Sequence, residues 1–222
     1  MKLAKKIIVF ILICLGSIGA QAGAFEDFFD AARSDNESAM VALTLRGFDL
    51  NTRDEKGETA LLIALKTGSL KVADFLLQQK AVTVESRNAL GESPLMIAAL
   101  KGHLAQAKRL IERGAEVNKP GWAPLHYAAS NPEPVSVDMV RLLLEHYAYI
   151  DAESPNKSTP LMMAARYGRD PVVQLLLEEG ADPLLRNEQG LSAIDFARQV
   201  DRAASVELIA KQVRARQPVG KW

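Results

Sequence analysis

Apolar residues fall into two regimes along the chain. Near the N-terminus, Ile7 to Leu15 form one unbroken apolar run, preceded by Lys2, Lys5 and Lys6 and followed by the small residues Ala20-Gln21-Ala22. From about residue 24 onward the apolar residues come in short blocks, separated by polar turns that carry glycine or proline. The blocks recur. Gly57-Glu-Thr-Ala-Leu-Leu-Ile-Ala64, Gly91-Glu-Ser-Pro-Leu-Met-Ile-Ala-Ala99, Gly121-Trp-Ala-Pro-Leu-His-Tyr-Ala-Ala129, Ser158-Thr-Pro-Leu-Met-Met-Ala-Ala165 and Gly190-Leu-Ser-Ala-Ile-Asp-Phe-Ala197 share one pattern. Val72-Ala-Asp-Phe-Leu-Leu77, Ala107-Lys-Arg-Leu-Ile111, Val140-Arg-Leu-Leu-Leu144 and Val173-Gln-Leu-Leu-Leu177 share another. The alternation predicts pairs of helices, one rich in small residues and one rich in leucine, repeated along the chain.

Local chemistry agrees with that prediction. Thr159-Pro160 and its equivalents suit a helix start, because threonine caps and proline loses nothing in the first turn. Alanine pairs such as Ala98-Ala99 and Ala164-Ala165 keep the first helix thin, so neighbouring helices approach closely. Gly68, Gly102 and Gly168 are expected to break that helix and to take a left-handed turn. Leu175-Leu176-Leu177 and its counterparts bury against adjacent pairs, and Gly114-Ala115 and Gly180-Ala181 end the second helix. One pair cannot bury its apolar face alone, so the pairs fold as a stack. Equivalent positions are 34, 30, 36 and 33 residues apart, from Gly57 to Gly91, Pro94 to Pro124, Pro124 to Pro160 and Pro160 to Ala193. The short step removes residues before Gly121; the long one adds them around Asn131-Pro132-Glu133-Pro134, lengthening the bend inside the fourth copy.

The arrangement resembles the ankyrin repeat, whose period is about 33 residues and whose marks are a Thr-Pro-Leu-His start, a central glycine and a leucine-rich ending before Gly-Ala. The likeness implies an all-α solenoid of about six helix-turn-helix repeats with short finger loops, at approximately residues 24–53, 54–87, 88–118, 119–153, 154–186 and 187–211. A degenerate first copy carrying Phe28-Phe29 and a last helix from Ala203 to Val213 serve as caps, and residues 212–222 are expected to form a flexible tail.

The first 22 residues have a basic start, an apolar centre and a small-x-small end, the order of a Sec-type signal peptide, with cleavage expected after Ala22. A retained membrane anchor is the rival reading, but the apolar stretch falls short of the roughly 20 residues that span a bilayer. The expected location is periplasmic or secreted. Cys14, the single cysteine, lies in this segment, so the remainder has no disulfide, thiol nucleophile or thiolate metal site. Its simple lysine-rich leader suits a bacterium.

Charge and chemistry narrow the function further. The chain holds 27 basic and 27 acidic residues, and loss of Lys2, Lys5 and Lys6 leaves a mild excess of acid. No basic stripe exists for nucleic acid, and 6% aromatic content gives no stacking platform for bases. Neither a phosphate loop, a Gly-x-Ser-x-Gly elbow nor a His-Glu-x-x-His helix is present. Of the three histidines, His126 occupies the slot where the family uses histidine to bond turn backbone, His103 follows a bend glycine and His146 ends an outer helix. No enzyme activity, cofactor or metal is expected.

The resemblance implies a binding surface on the finger tips and on the exposed side of the inner helices. On this sequence the exposed slots include Glu58, Lys66, Ser130, Ser158 and Glu188, and the residues singled out for a protein partner are Leu90, Leu100, Lys101, Trp122, Asn131, Arg166 and Tyr167. Trp and Arg are the types that dominate interface energetics, with Tyr. A packing role for Trp122, its indole folded onto a neighbour by the shortened finger, remains the alternative. The expected protein is a monomeric interaction scaffold without nucleic-acid binding or lasting membrane insertion. Three roles compete: an adaptor for an envelope protein, an immunity protein that neutralises a toxin, and an effector acting on host proteins.

Overall fold

The computed structural model describes residues 23–216. The expected leader and residues 217–222 of the expected tail lie outside them. Twelve helices form six pairs among the described residues, and the one β-bridge there joins Arg53 to Thr59 across a finger. None of these helices is long and apolar enough to cross a membrane. The chain divides into two compact units at Thr83–Val84.

The first unit holds two pairs: α1 (residues 23–33) with α2 (Glu37–Leu45), and α3 (Ala60–Thr67) with α4 (Leu70–Gln78). Phe28 and Phe29 of α1 are buried edge to face at 5.2 Å, and Phe28 lies 4.5 Å from Phe48. Asn36 caps α2 by accepting the Ala39 N–H (3.0 Å), and Thr59 caps α3 by accepting the Leu62 N–H (3.4 Å). Each side chain satisfies one of the orphan amides of a helix start.

The second unit holds four pairs. Its inner layer is α5 (Pro94–Lys101), α7 (Pro124–Ser130), α9 (Pro160–Tyr167) and α11 (Ala193–Arg198), packed in that order. Its outer layer is α6 (Leu104–Glu112), α8 (Ser136–Glu145), α10 (Asp170–Glu178) and α12 (Ala203–Arg216), likewise in series. The expected alanine pairs, Ala98-Ala99, Ala128-Ala129 and Ala164-Ala165, are all fully buried, which is what lets successive inner helices approach.

Single side chains shape the fingers. Asn88 Oδ1 accepts the N–H groups of Leu90 and Glu92 (both 3.0 Å), and Asn187 Oδ1 those of Gln189 (3.0 Å) and Leu191 (2.9 Å). Asp54 does the same in the first unit for Lys56 (2.9 Å) and Glu58 (2.8 Å). Successive loops at the other edge are joined by rungs. Glu85 accepts the Glu116 N–H (3.0 Å), Asn118 the Tyr149 N–H (2.8 Å) and Asp151 the Asp182 N–H (3.0 Å).

Two expectations are corrected. Gly102 is left-handed (φ 74°), but Gly168 is extended (φ −82°, ψ −152°). Its bend is closed instead by Arg202, whose Nη1 donates to Ala164 O (2.9 Å) and Gly168 O (2.6 Å) while Nη2 pairs with Asp170 (2.7 Å). The last helix also runs past Val213 to Arg216, where the tail was expected to be loose. Arg216 Nη2 donates to Gly180 O and Ala181 O, both at 3.1 Å, and this holds the final turn.

Candidate functional site

The fourth repeat departs most from the regular pattern, and the candidate site is built around it. Its first helix follows a shortened finger in which Gly121 is left-handed (φ 80°) and Trp122 precedes the helix. No side chain at Ala123 can cap α7. His126 supplies the reciprocal bond of a capping box instead: the Ala123 N–H donates to Nδ1 (3.2 Å). That fixes the proton on Nε2, which donates to Ser158 O of the next repeat (3.0 Å). His126 is fully buried, and burial holds its pKa below the ordinary histidine value against the raising effect of the bonds to Ser158 and Ala123. The expected bond from histidine to turn backbone is therefore present, and it also ties two repeats.

Trp122 is half-buried, its ring edge-on to His126 (5.3 Å) and to Tyr127 (6.5 Å). Together with Leu100, Ser130 and Met163 these residues line an open groove of about 230 Å³ on the inner-helix face. Ser130 donates its hydroxyl to His126 O (2.7 Å), so that hydroxyl is already engaged within its own helix. The surface is accordingly apolar, without a charged wall.

Of the residues singled out from the sequence, Leu100 and Trp122 meet in this groove. Lys101 is exposed beside Leu100, and Leu90 is 81% exposed at a finger tip. Tyr167 is half-exposed and stacks with the Arg166 guanidinium at 5.4 Å. Asn131 is a correction. It is buried, because the lengthened bend folds back and Asn131 Oδ1 accepts the Glu133 N–H (2.8 Å), so it presents nothing to a partner. Ser158, expected on the exposed face, is buried as well; its N–H donates to Ser154 Oγ (2.9 Å) inside the finger.

Two groove residues, Tyr127 and Met163, escaped the sequence reading. They share one slot of the repeat with Ile63, Ile97 and Phe196, all three buried. The slot reads as core in three copies, and only the change to a tyrosine and a methionine in adjacent copies marks where it opens.

Among the described residues no group of His, Cys, Asp and Glu side chains could hold a metal ion. Charge near the finger bases is internally matched: Arg87 pairs with Glu85 and with Glu116 (2.8 Å), and Lys119 donates to Gly91 O (2.9 Å). Burial lowers the Lys119 pKa, and the Arg87 charge adds to the effect.

Comparison with known proteins places this geometry in context. A family model described as ankyrin repeats (3 copies) matches residues 28–120 and 118–187. The chain is similar to the B-cell lymphoma 3 protein homolog of Mus musculus, 34% identical over 155 residues covering 68% of this chain and 26% of that protein. It is similar to the nuclear factor NF-kappa-B p105 subunit of Mus musculus, 31% identical over 67% of this chain and 16% of that protein. Similarity to the transient receptor potential cation channel subfamily A member 1 of Homo sapiens is 28% over 75% of this chain and 16% of that protein. The chain thus spans between about a sixth and a quarter of the length of these larger relatives. Among solved structures it is similar to a chain in the structure of the predatory endopeptidase Bd0816 of Bdellovibrio bacteriovorus in complex with immunity protein Bd3460. The TM-score is 0.72 at 28% identity, covering 83% of this chain and 96% of that one.

Proposed function

The chain belongs to the ankyrin-repeat family, and from that premise we propose that it is an exported bacterial binding protein with an immunity role. It holds an endopeptidase of the cell envelope inactive by occupying it with the groove face of the second unit. The carrying observation is the fold shared, nearly end to end on the other side, with a chain from an endopeptidase–immunity complex. Ankyrin arrays act as protein-binding modules, and the groove of Leu100, Trp122, Tyr127 and Met163 offers the aromatic and apolar anchors on which such interfaces depend. The leader pattern of the first 22 residues supports the envelope as the place of action.

The test is inhibition. Endopeptidases purified from the envelope of the native cell are assayed on the substrates they cleave, with equimolar protein and with its Trp122→Ala, Tyr127→Ala variant. The intact protein is expected to abolish one such activity and the variant to restore it, while both melt alike. If every envelope endopeptidase cleaves at an unchanged rate, the immunity role is wrong.

A further inference from the structure

The groove and the charge beside it also specify what kind of partner segment fits. Resting on the binding role above, we propose that the groove seats one bulky apolar side chain of the partner, and that Arg166 receives a carboxylate within a few residues of it on the same segment.

The apolar half follows from the walls. Leu100, Trp122, Tyr127 and Met163 enclose about 230 Å³, the scale of one large side chain. Ser130 is satisfied by His126 O, and His126 is committed to Ala123 and Ser158. Neither residue makes a polar demand on a partner, and a polar group entering among the apolar walls would lose its water with little replacement.

The acidic half follows from Arg166. This residue lies one helical turn beyond Met163 on α9, so it stands at the groove's edge. Its guanidinium sits 5.4 Å from the Tyr167 ring and 5.9 Å from the Phe196 ring, and Nη1 donates to the neutral Gln199 amide oxygen. Among the described residues the buried Nε has no acceptor and no carboxylate pairs with this cation, whose charge is therefore left for a partner to meet on the exposed side of the guanidinium. A guanidinium pre-oriented by two rings and unmatched by any carboxylate is suited to receive a planar oxyanion on its exposed N–H groups. The remaining charge on this face agrees. Across α5, α7 and α9 the only charged side chains are Lys101 and Arg166, both cationic. A segment with lysine or arginine next to its apolar residue is repelled by them.

A random dodecapeptide library displayed on phage is selected against the purified protein, and the winners are titrated by fluorescence on a Trp222→Phe background, which leaves Trp122 as the sole indole. Enriched peptides are expected to place Trp, Phe, Leu or Met within about three positions of Asp or Glu. Arg166→Gln is expected to weaken them by about tenfold or more, an effect that shrinks in high salt, and replacing the peptide acid by its amide costs nothing further in that variant. Tyr127→Ala is expected to weaken the same peptides comparably, with melting unchanged in both variants. Enrichment of basic or purely apolar peptides overturns the proposal. So does an absence of enrichment, an Arg166→Gln variant with wild-type affinity, or self-association of the protein through this face. The inhibition assay is independent. Acidic-apolar peptides without any endopeptidase target would retire the immunity role alone, and inhibition insensitive to Arg166→Gln would retire this proposal alone.

Discussion

The bends after α5 and α9 begin with the same residue and solve the same problem in opposite ways. After α5, Gly102 turns left-handed (φ 74°) and the backbone closes on itself, the His103 N–H donating to Ala98 O (2.9 Å). After α9, Gly168 stays extended and the helix end is closed from outside by Arg202, 34 residues later. Glycine serves conformation in the first bend and space in the second. A Cβ on Gly168 would lie 2.1 Å from Ala129 O, a backbone atom that cannot swing aside. One position in a repeat can therefore keep its residue while its physical reason changes.

The largest effect expected from breaking this comparison is at Gly168. Gly168→Ala drives a methyl into backbone and should destabilise by about 3 kcal/mol or more, seen as a lower denaturant midpoint. Arg202→Ala should cost about 2 kcal/mol by uncovering the α9 carbonyls and leaving Asp170 with only the Ser205 hydroxyl as a partner. Gly102→Ala should cost about 1–2 kcal/mol, from left-handed strain and from a contact of 2.5 Å with Val135 Cγ1 that a side-chain shift relieves. Equal losses at Gly102 and Gly168 would mean that the backbone around Ala129 gives way to the added methyl.

The smallest effect at neutral pH comes from His126, which lies between the two bends and joins the fourth repeat to the fifth. Its folded pKa is lowered by burial, so below about its ordinary value of 6.5 the unfolded chain binds more protons than the folded one. The stability it supports is intact above that pH and falls as acid is added, down to the depressed folded pKa. His126→Gln should flatten the thermal midpoint against pH between neutrality and mild acid. An unchanged slope would locate the acid sensitivity elsewhere.

These contrasts mark what the sequence made legible. The paired helices, the Thr59, Ser93 and Thr159 caps and the left-handed Gly68 and Gly102 follow from patterns a few residues long. What escaped depends on distant partners. Arg202 looks like an ordinary surface arginine until the fold brings it under α9, and nothing near Gly168 announces it. Asn131 reads as exposed because the inserted bend has no counterpart in the other repeats, yet its own turn buries it. At the candidate site, Leu100 and Trp122 were visible as large apolar residues in exposed slots. Tyr127 and Met163 were hidden because their slot is core in the copies holding Ile63, Ile97 and Phe196.

The rungs between loops have a consequence for how the repeats depend on one another. In each, the acceptor sits in the earlier repeat and the amide it receives in the later one: Glu85 for Glu116, Asn118 for Tyr149, Asp151 for Asp182. At these three loops the earlier repeat thus holds out a side-chain acceptor and the later repeat brings the backbone amide that fills it. At Arg202 the later repeat supplies the side chain and the earlier one the backbone, so the carbonyls that end α9 find their guanidinium partner only in the sixth repeat. A chain that lost its last repeat would leave those carbonyls bare, which makes that repeat a latch on α9 as well as a cap.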